Sequence, residues 1–291
     1  MKIFIGPLSD KTAFFCLIFL LFTAAGCRNE YLGAAKEAIQ ESELLGVFSY
    51  SENWLDISNE TDNARASFWK PDGSTVYVVG RNTDNVVAYQ LTDPWEIKTG
   101  KFLTETKVSG ENQHGLYFRE DGQLMWVFDR TGIWTYQLEE SWDISTISEG
   151  EYTDLSSFVI RGHDIDFRPD GRVIYIDDRN KGAVFQVSLE NPWDVTGYEL
   201  QYTLDISDLQ MEVRGVEFLN EGKAMALMDT GRKEILQYEL GEAWDISTAV
   251  FKGGFDVSAQ THQGRGLSFS ADETRFYVTG RDEQKIFQYH R

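Results

Sequence analysis

Trp244-Asp245-Ile246-Ser247-Thr248 is written three more times upstream, as Trp95-Glu96-Ile97-Lys98-Thr99, Trp142-Asp143-Ile144-Ser145-Thr146 and Trp193-Asp194-Val195-Thr196. Each copy follows one short apolar run and precedes another, so the period must be settled before any single residue is interpreted. A second marker, a phenylalanine closing another short run, recurs at Phe68, Phe118, Phe167, Phe218 and Phe269, at intervals of 50, 49, 51 and 51 residues. Read from that marker, the last unit is a strand at 265–269, a turn at 271–274, a strand at 275–279, a loop and a strand at 285–289; in the earlier units the Trp-Asp turn and a fourth strand follow. Four short β-branched and aromatic strands in each unit of about 50 residues predict a β-propeller blade.

The two ends of the repeat array complement each other. Leu55-Asp56-Ile57-Ser58 matches Leu204-Asp205-Ile206-Ser207 and Phe255-Asp256-Val257-Ser258, which end the fourth strand of other units, so Trp54 is not a fifth copy of the Trp-Asp turn. The array therefore starts with a lone fourth strand, about 44–58, and stops after three strands at Gln288-Tyr289-His290-Arg291. Giving the first strand to the last blade hides two sheet edges. The expectation is an all-β, five-bladed propeller of four-stranded blades over 44–291, closed by its N-terminal strand, with Leu45, Phe48 or Trp54 buried at the closure. A unit this small cannot cover both faces of its sheet alone, so the ring is expected to be one cooperative domain.

Residues 1–26 carry Lys2 and Lys11, then an apolar run from Thr12, and end Ala24-Ala25-Gly26 before Cys27. The run is short for a membrane-spanning helix of about 20 residues and reads as a signal peptide. The small-small-Cys ending resembles a bacterial lipobox, which implies that Cys27 is lipidated and that polar, Ala-rich 28–43 is a tether; ordinary secretory cleavage is the alternative. Either way the protein is expected outside the cytosol, at a bacterial cell envelope, touching a membrane only through its lipid anchor.

With 27 basic and 47 acidic residues the net charge is −20, or −21 without Lys2, Asp10 and Lys11. Such a surface repels nucleic acid and anionic lipid headgroups. Cys16 lies in the leader and Cys27 at the anchor, which leaves the propeller without a disulfide, a thiolate metal site or a thiol nucleophile. A glycine-rich phosphate loop, a Gly-x-Ser-x-Gly elbow and a His-Glu-x-x-His motif are all missing from the sequence, and no cofactor is implied.

The turn Lys70-Pro71-Asp72-Gly73, echoed by Arg168-Pro169-Asp170-Gly171 and Glu120-Asp121-Gly122 and followed by Tyr77 and Tyr175, resembles the hairpin of bacterial YVTN-type and lactonase-like propellers. The Trp-Asp-Ile-Ser-Thr turn resembles that of bacterial surface proteins built from such repeats. The resemblance covers 44–291 and implies the fold; propellers host lectins, hydrolases, lactonases and plain scaffolds alike. These units are longer and fewer than the seven of the YVTN pattern.

Strand direction alternates, so the Asp-Gly and Trp-Asp turns share one face, where Gly permits the turn, Asp and Ser cap backbone groups and Trp fills the gap between blades. The opposite face collects Arg65, His114, His163, Arg214 and Arg265 at the start of each first strand, and Arg81, Arg130, Arg179 and Arg281 near the end of the second. Five cationic or protonatable groups are thus expected at the channel mouth of an acidic protein. One account neutralises them by interblade ion pairs with Asp129, Asp178 and Asp229. Another has the ring hold an anion, a carboxylated or phosphorylated small molecule, because Arg presents a planar fork of donors. His114 and His163, in adjacent blades with Asp129 and Asp178 nearby, could also ligate a divalent metal or act as a general base. A calcium-dependent lactonase would line this mouth with carboxylate and amide oxygens instead. The functional expectation is a binding or scaffold module for a small anion, a glycan or a protein partner; the alternative is a metal-assisted hydrolase or lyase at the same mouth.

Overall fold

The computed structural model describes residues 45–207 and 212–291. The expected signal peptide, Cys27 and tether lie outside the described residues. Five antiparallel sheets of four strands form five blades. Blade 1 is β2 (Ala64–Trp69), β3 (Thr75–Gly80), β4 (Asn85–Leu91) and β5 (Gly100–Lys107); blade 2 is β6 (Gly115–Phe118), β7 (Leu124–Phe128), β8 (Gly132–Gln137) and β9 (Glu151–Asp154). Blade 3 is β10 (Gly162–Phe167), β11 (Val173–Asp178), β12 (Ala183–Leu189) and β13 (Tyr198–Asp205); blade 4 is β14 (Val213–Leu219), β15 (Ala224–Asp229), β16 (Glu234–Leu240) and β17 (Ala249–Asp256). Blade 5 is β18 (Gly264–Phe269), β19 (Arg275–Gly280) and β20 (Lys285–His290), completed on its outer edge by β1 (Ser49–Asp56). The first strands touch in a circle, β2 to β6, β10, β14, β18 and back to β2, which fixes the order of the blades around the axis.

The closure is as expected, with Leu55 opposite Ile286 and Trp54 opposite Phe287. Leu45 and Phe48 are buried, but Trp54 is 42% exposed, its ring lying under Lys285 Nζ at 3.8 Å. Its strand position faces outward, so cation–π contact replaces burial. The phase of the first repeat also shifts by one: Trp69 pairs with Val76 as Phe118 does with Met125 and Phe167 with Ile174, so Trp69 and not Phe68 closes β2 in register.

In blade 5, Leu45 takes the place that the buried apolar residue of the Trp-Asp turn has in the other blades. Its N–H donates to Gln237 Oε1 at 2.9 Å, as Ile97 N–H does to Gln288 Oε1 (2.9 Å) and Ile246 N–H to Gln186 Oε1 (3.1 Å). All three side chains are fully buried. In the other blades the tryptophan has φ between 65 and 67° and its N–H donates to the hairpin glycine of the same blade, Trp142 to Gly122 O at 2.9 Å for example. The indole lies directly on that glycine: a Cβ at Gly73, Gly122, Gly171 or Gly222 would sit 2.3–2.4 Å from indole atoms. Blade 5 has Glu273 at this place, with φ 53° and no tryptophan above it. Glycine is required only where the indole sits.

Three of the four tryptophans also staple their blade to the preceding one through a tyrosine, and Trp193 instead stacks on Trp126. Tyr77 Oη donates to Trp142 O (2.7 Å), Tyr175 Oη to Trp244 O and Tyr277 Oη to Trp95 O (both 2.6 Å). Asp143, Asp194 and Asp245 accept the backbone N–H two residues on at 2.9–3.0 Å, the capping role expected of them.

Candidate functional site

β-Bulges aim the ring residues. The ladder slips between Ala64 and Ser67, Gly162 and Ile165, Val213 and Val216, and Gly264 and Gly266, which leaves Arg65, His163, Arg214 and Arg265 at the bulges. An extra residue there bends the strand and redirects its side chain. His114 stands just before β6, its N–H on Phe128 O at 2.7 Å. Next to the bulges the strands crowd one another: a Cβ at Gly266 would lie 2.7 Å from Arg65 O, and one at Gly115 would lie 3.0 Å from Asp164 Cα.

All five ring residues are at most 6% exposed. The imidazoles of His114 and His163 meet edge to face, centroids 4.6 Å apart. Arg214 Nη1 donates to His163 Nε2 at 2.9 Å, and Arg214 Nη2 to Glu212 Oε2 at 2.9 Å. Arg265 Nη2 donates to Gln263 Oε1 at 2.7 Å, and Arg65 has no hydrogen-bond partner among the described residues. Of the outer arginines, Arg81 places Nε and Nη2 on Asn112 Oδ1 (2.8 and 2.5 Å), Arg179 pairs with Glu212, and Arg281 folds onto Asp282.

Asp129, Asp178 and Asp229 do not neutralise the ring. Each caps backbone or ring N–H groups instead: Asp129 accepts from Gly132 N–H and Trp134 Nε1, Asp178 from four backbone N–H groups including Ile160 and Asn180, and Asp229 Oδ1 from Glu212 and Gly231 N–H, with Asp229 Oδ2 unpartnered among the described residues. A carboxylate beside a strand-ending turn finds backbone donors closer than any arginine head. Among the described residues only Glu212 and Asp282 form ion pairs with the rim arginines.

The mouth is therefore rich in unmet donors. Fourteen buried side-chain nitrogens and oxygens lack a partner among the described residues, and seven are guanidinium nitrogens of this rim: Nε and Nη1 of both Arg65 and Arg265, and Nε of Arg130, Arg161 and Arg214. One such arginine comes from each blade. Burial first, then Arg81 and Arg214, push Arg65 down to about 9; burial, then Arg214 and Arg65, push Arg265 down to about 8. A guanidinium holds its proton, so this penalty is felt as a demand for counter-charge. Burial and the charge of Arg65 lower His114 to about 2, and burial, His114 and Arg214 hold His163 far below its usual value, so both imidazoles are neutral.

The row two residues before the ring, with Asn112, Arg161, Glu212 and Gln263, partners or extends it and escaped the sequence reading. Its signal was the period of two along an extended strand.

Below the mouth lies a second unforeseen cluster. Asp164 stands where other blades carry Ala66, Gly115, Gly215 and Gly266, and Asp177 Oδ1 accepts His163 and Asp164 N–H, both at 2.7 Å. Asp166 reaches across to Phe218 N–H at 3.1 Å. Burial raises Asp166 to about 7 and Asp177 to about 8; burial and the neighbouring carboxyls hold Asp164 and Glu217 well above the carboxylate range. A carboxyl with a raised native pKa binds extra protons in the folded state between its unfolded and folded values, so stability falls as pH rises from about 4 to about 8. The Tm is expected to be higher at pH 5 than at pH 8 by about 5 °C or more. Glu217→Gln should flatten that slope in thermal scans, and an unchanged slope would remove Glu217 as a cause of it.

The histidines do not converge with carboxylates as a metal needs. Nδ1 of His114 faces Asn112 O, Nδ1 of His163 faces Arg161 O at 3.2 Å, and His163 Nε2 is taken by Arg214. Among the described residues no three His, Asp or Glu side chains form a metal-binding group.

No protein-family model matches the sequence, and no curated protein matches it. Solved structures do. The periplasmic gluconolactonase of Pseudomonas aeruginosa aligns with a TM-score of 0.53 at 12% identity, over 79% of this chain and 82% of that one. A protein from Lactobacillus plantarum aligns at 0.50 and 11%, over 78% and 67%. A putative 6-phosphogluconolactonase from Bacteroides uniformis aligns at 0.48 and 13%; this chain covers 64% of it, less than two thirds of its length, and 76% of the present chain is matched. At such identities the likeness is one of fold, and the fold is the β-propeller.

Proposed function

We propose that this propeller is a lipid-anchored, extracytoplasmic binding protein that holds a small anion at the arginine-lined mouth of its channel. The seven unpartnered guanidinium nitrogens carry the reading. Buried, hydrogen-bonding cations without partners cost stability, and an anion recovers that cost, each hydrogen bond to a charged group contributing about 1.5–3 kcal/mol. Supply of the anchor rests on Ala24-Ala25-Gly26-Cys27.

Arg65→Met separates a binding ring from a structural one. For a binding ring, the variant in low-salt buffer is expected to melt several degrees higher, because an unpaired buried charge is replaced by a side chain of similar length. Its affinity for inorganic phosphate, sulfate or citrate should fall at least about tenfold, the loss of one charged hydrogen bond. Calorimetric titration and thermal scans read both. Lack of saturable binding of all three anions by the parent, with a lower Tm for Arg65→Met, would make the ring structural.

A further inference from the structure

The mouth is lopsided, and its uneven half carries chemical information. Blades 4, 5 and 1 place guanidinium groups at the inner ring, whereas blades 2 and 3 place His114 and His163 there, with Arg130 after the second strand of blade 2 and Arg161 two residues before His163. The two imidazoles share one tautomer. A ring nitrogen beside a carbonyl oxygen must donate, so His114 Nδ1 carries its proton toward Asn112 O and His163 Nδ1 toward Arg161 O. Each Nε2 is therefore an acceptor. That of His163 receives Arg214 Nη1. That of His114 has no donor among the described residues, in a side chain only 1% exposed.

Resting on the anion-binding reading above, we infer that the mouth selects an anion carrying its own O–H donor, and that His114 Nε2 is the acceptor that recognises it. Arginine heads only donate, so a fully deprotonated anion satisfies them and leaves the His114 lone pair facing negative charge. A hydrogen phosphate or phosphomonoester monoanion, or a carboxylate with a hydroxyl beside it, meets both requirements at once. Sulfate and plain carboxylates meet only the first. His114 stays unprotonated because it is buried beside Arg65, so it does not become a donor at any ordinary pH. Sites built to hydrogen-bond a hydroxyl discriminate strongly against analogues lacking it, because their own polar group is then stranded.

Titration calorimetry of the parent protein at pH 6 and matched ionic strength, with inorganic phosphate against sulfate and tartrate against succinate, tests this. Phosphate carries less charge than sulfate at that pH, so electrostatics alone favour sulfate. The expected result is a preference of at least about tenfold for the hydroxyl-bearing member of one pair or both. The phosphate pair points to a phosphate source and the carboxylate pair to a hydroxy acid. His114→Phe, which keeps an edge-to-face ring against His163, should bring the ratio of affinities within the discriminating pair to about one. Equal affinities within both pairs in the parent overturn the inference while the anion reading stands, as does a preference that survives in His114→Phe. Failure of all four probes to bind overturns the anion reading, and this inference with it. If His114→Phe does not fold, the two pairs in the parent still decide.

Discussion

A chain beginning at Asn59 is expected to be insoluble or to melt far below the parent, whereas deletion of residues 28–41 should leave the Tm within about 2 °C. The first deletion removes β1 and the turn before it. Leu45, Phe48, Leu55 and Ile57 are all buried, and at about 1.5–3 kcal/mol each they contribute roughly 6–12 kcal/mol, comparable to the whole stability of an ordinary domain. It also bares β20, whose backbone pairs with β1 from Ser49 opposite His290 to Asp56 opposite Lys285. An open, apolar strand edge invites pairing between molecules. Soluble yield, far-ultraviolet circular dichroism and thermal scans of the two truncated chains check this. A soluble Asn59 chain with the parent's Tm would show that the ring is closed by something other than β1.

The same closure explains why so much of the fold was legible. A repeat needs only its period and its remainder to be understood, and the unmatched segment Leu55-Asp56-Ile57-Ser58 at one end answered the missing fourth strand at the other. Legibility failed where one feature was displaced by chemistry of equal rank. Phe68 looked like the marker because Trp69 fills the marker's place with a different aromatic. The place of Leu45 went unseen because it keeps only the buried apolar member of the motif.

The site was legible as a position and not as a network. Repeat equivalence assembled Arg65, His114, His163, Arg214 and Arg265 correctly into one register, since equivalent residues on first strands must face one rim. It misjudged Asp129, Asp178 and Asp229, because adjacency in sequence cannot tell a carboxylate that reaches an arginine from one that caps its own turn. It missed Asp164, Asp166 and Glu217 altogether. Acidic residues inside otherwise apolar first strands were the available signal, and burial of unpaired carboxyls is a departure from good packing of the kind that accumulates at working sites.

Gly122→Ala is expected to lower stability by about 3–5 kcal/mol, close to what deletion of a large core side chain costs, although it adds a single methyl group. Part of this is backbone: Gly122 has φ 71°, and an L residue there costs about 1–2 kcal/mol. The remainder comes from Trp142, whose indole lies 2.4 Å from where the new Cβ must stand. The indole is half-buried and held by its backbone and by its neighbours. The backbone N–H of Trp142 donates to Gly122 O, its carbonyl accepts from Tyr77 Oη, and its ring is stacked on Phe118 and Phe68 across the blade boundary. For a ring of this size the loss corresponds to a Tm lower by about 10 °C. Removing the indole first isolates the two parts: in a Trp142→Ala background, Gly122→Ala should cost only its backbone share of about 1–2 kcal/mol, a coupling of about 2 kcal/mol between the two sites. Blade 5 supplies the natural control, because Glu273 occupies the same turn at φ 53° with no tryptophan above it and its Oε1 accepts Asn220 N–H at 2.7 Å. Glu273→Gly relieves the backbone and loses that hydrogen bond, so it should change stability by no more than about 1 kcal/mol. Denaturant unfolding of the four variants measures the cycle. An equal cost for Gly122→Ala with and without Trp142 would show that the turn, and not the seat of the tryptophan, is what glycine serves.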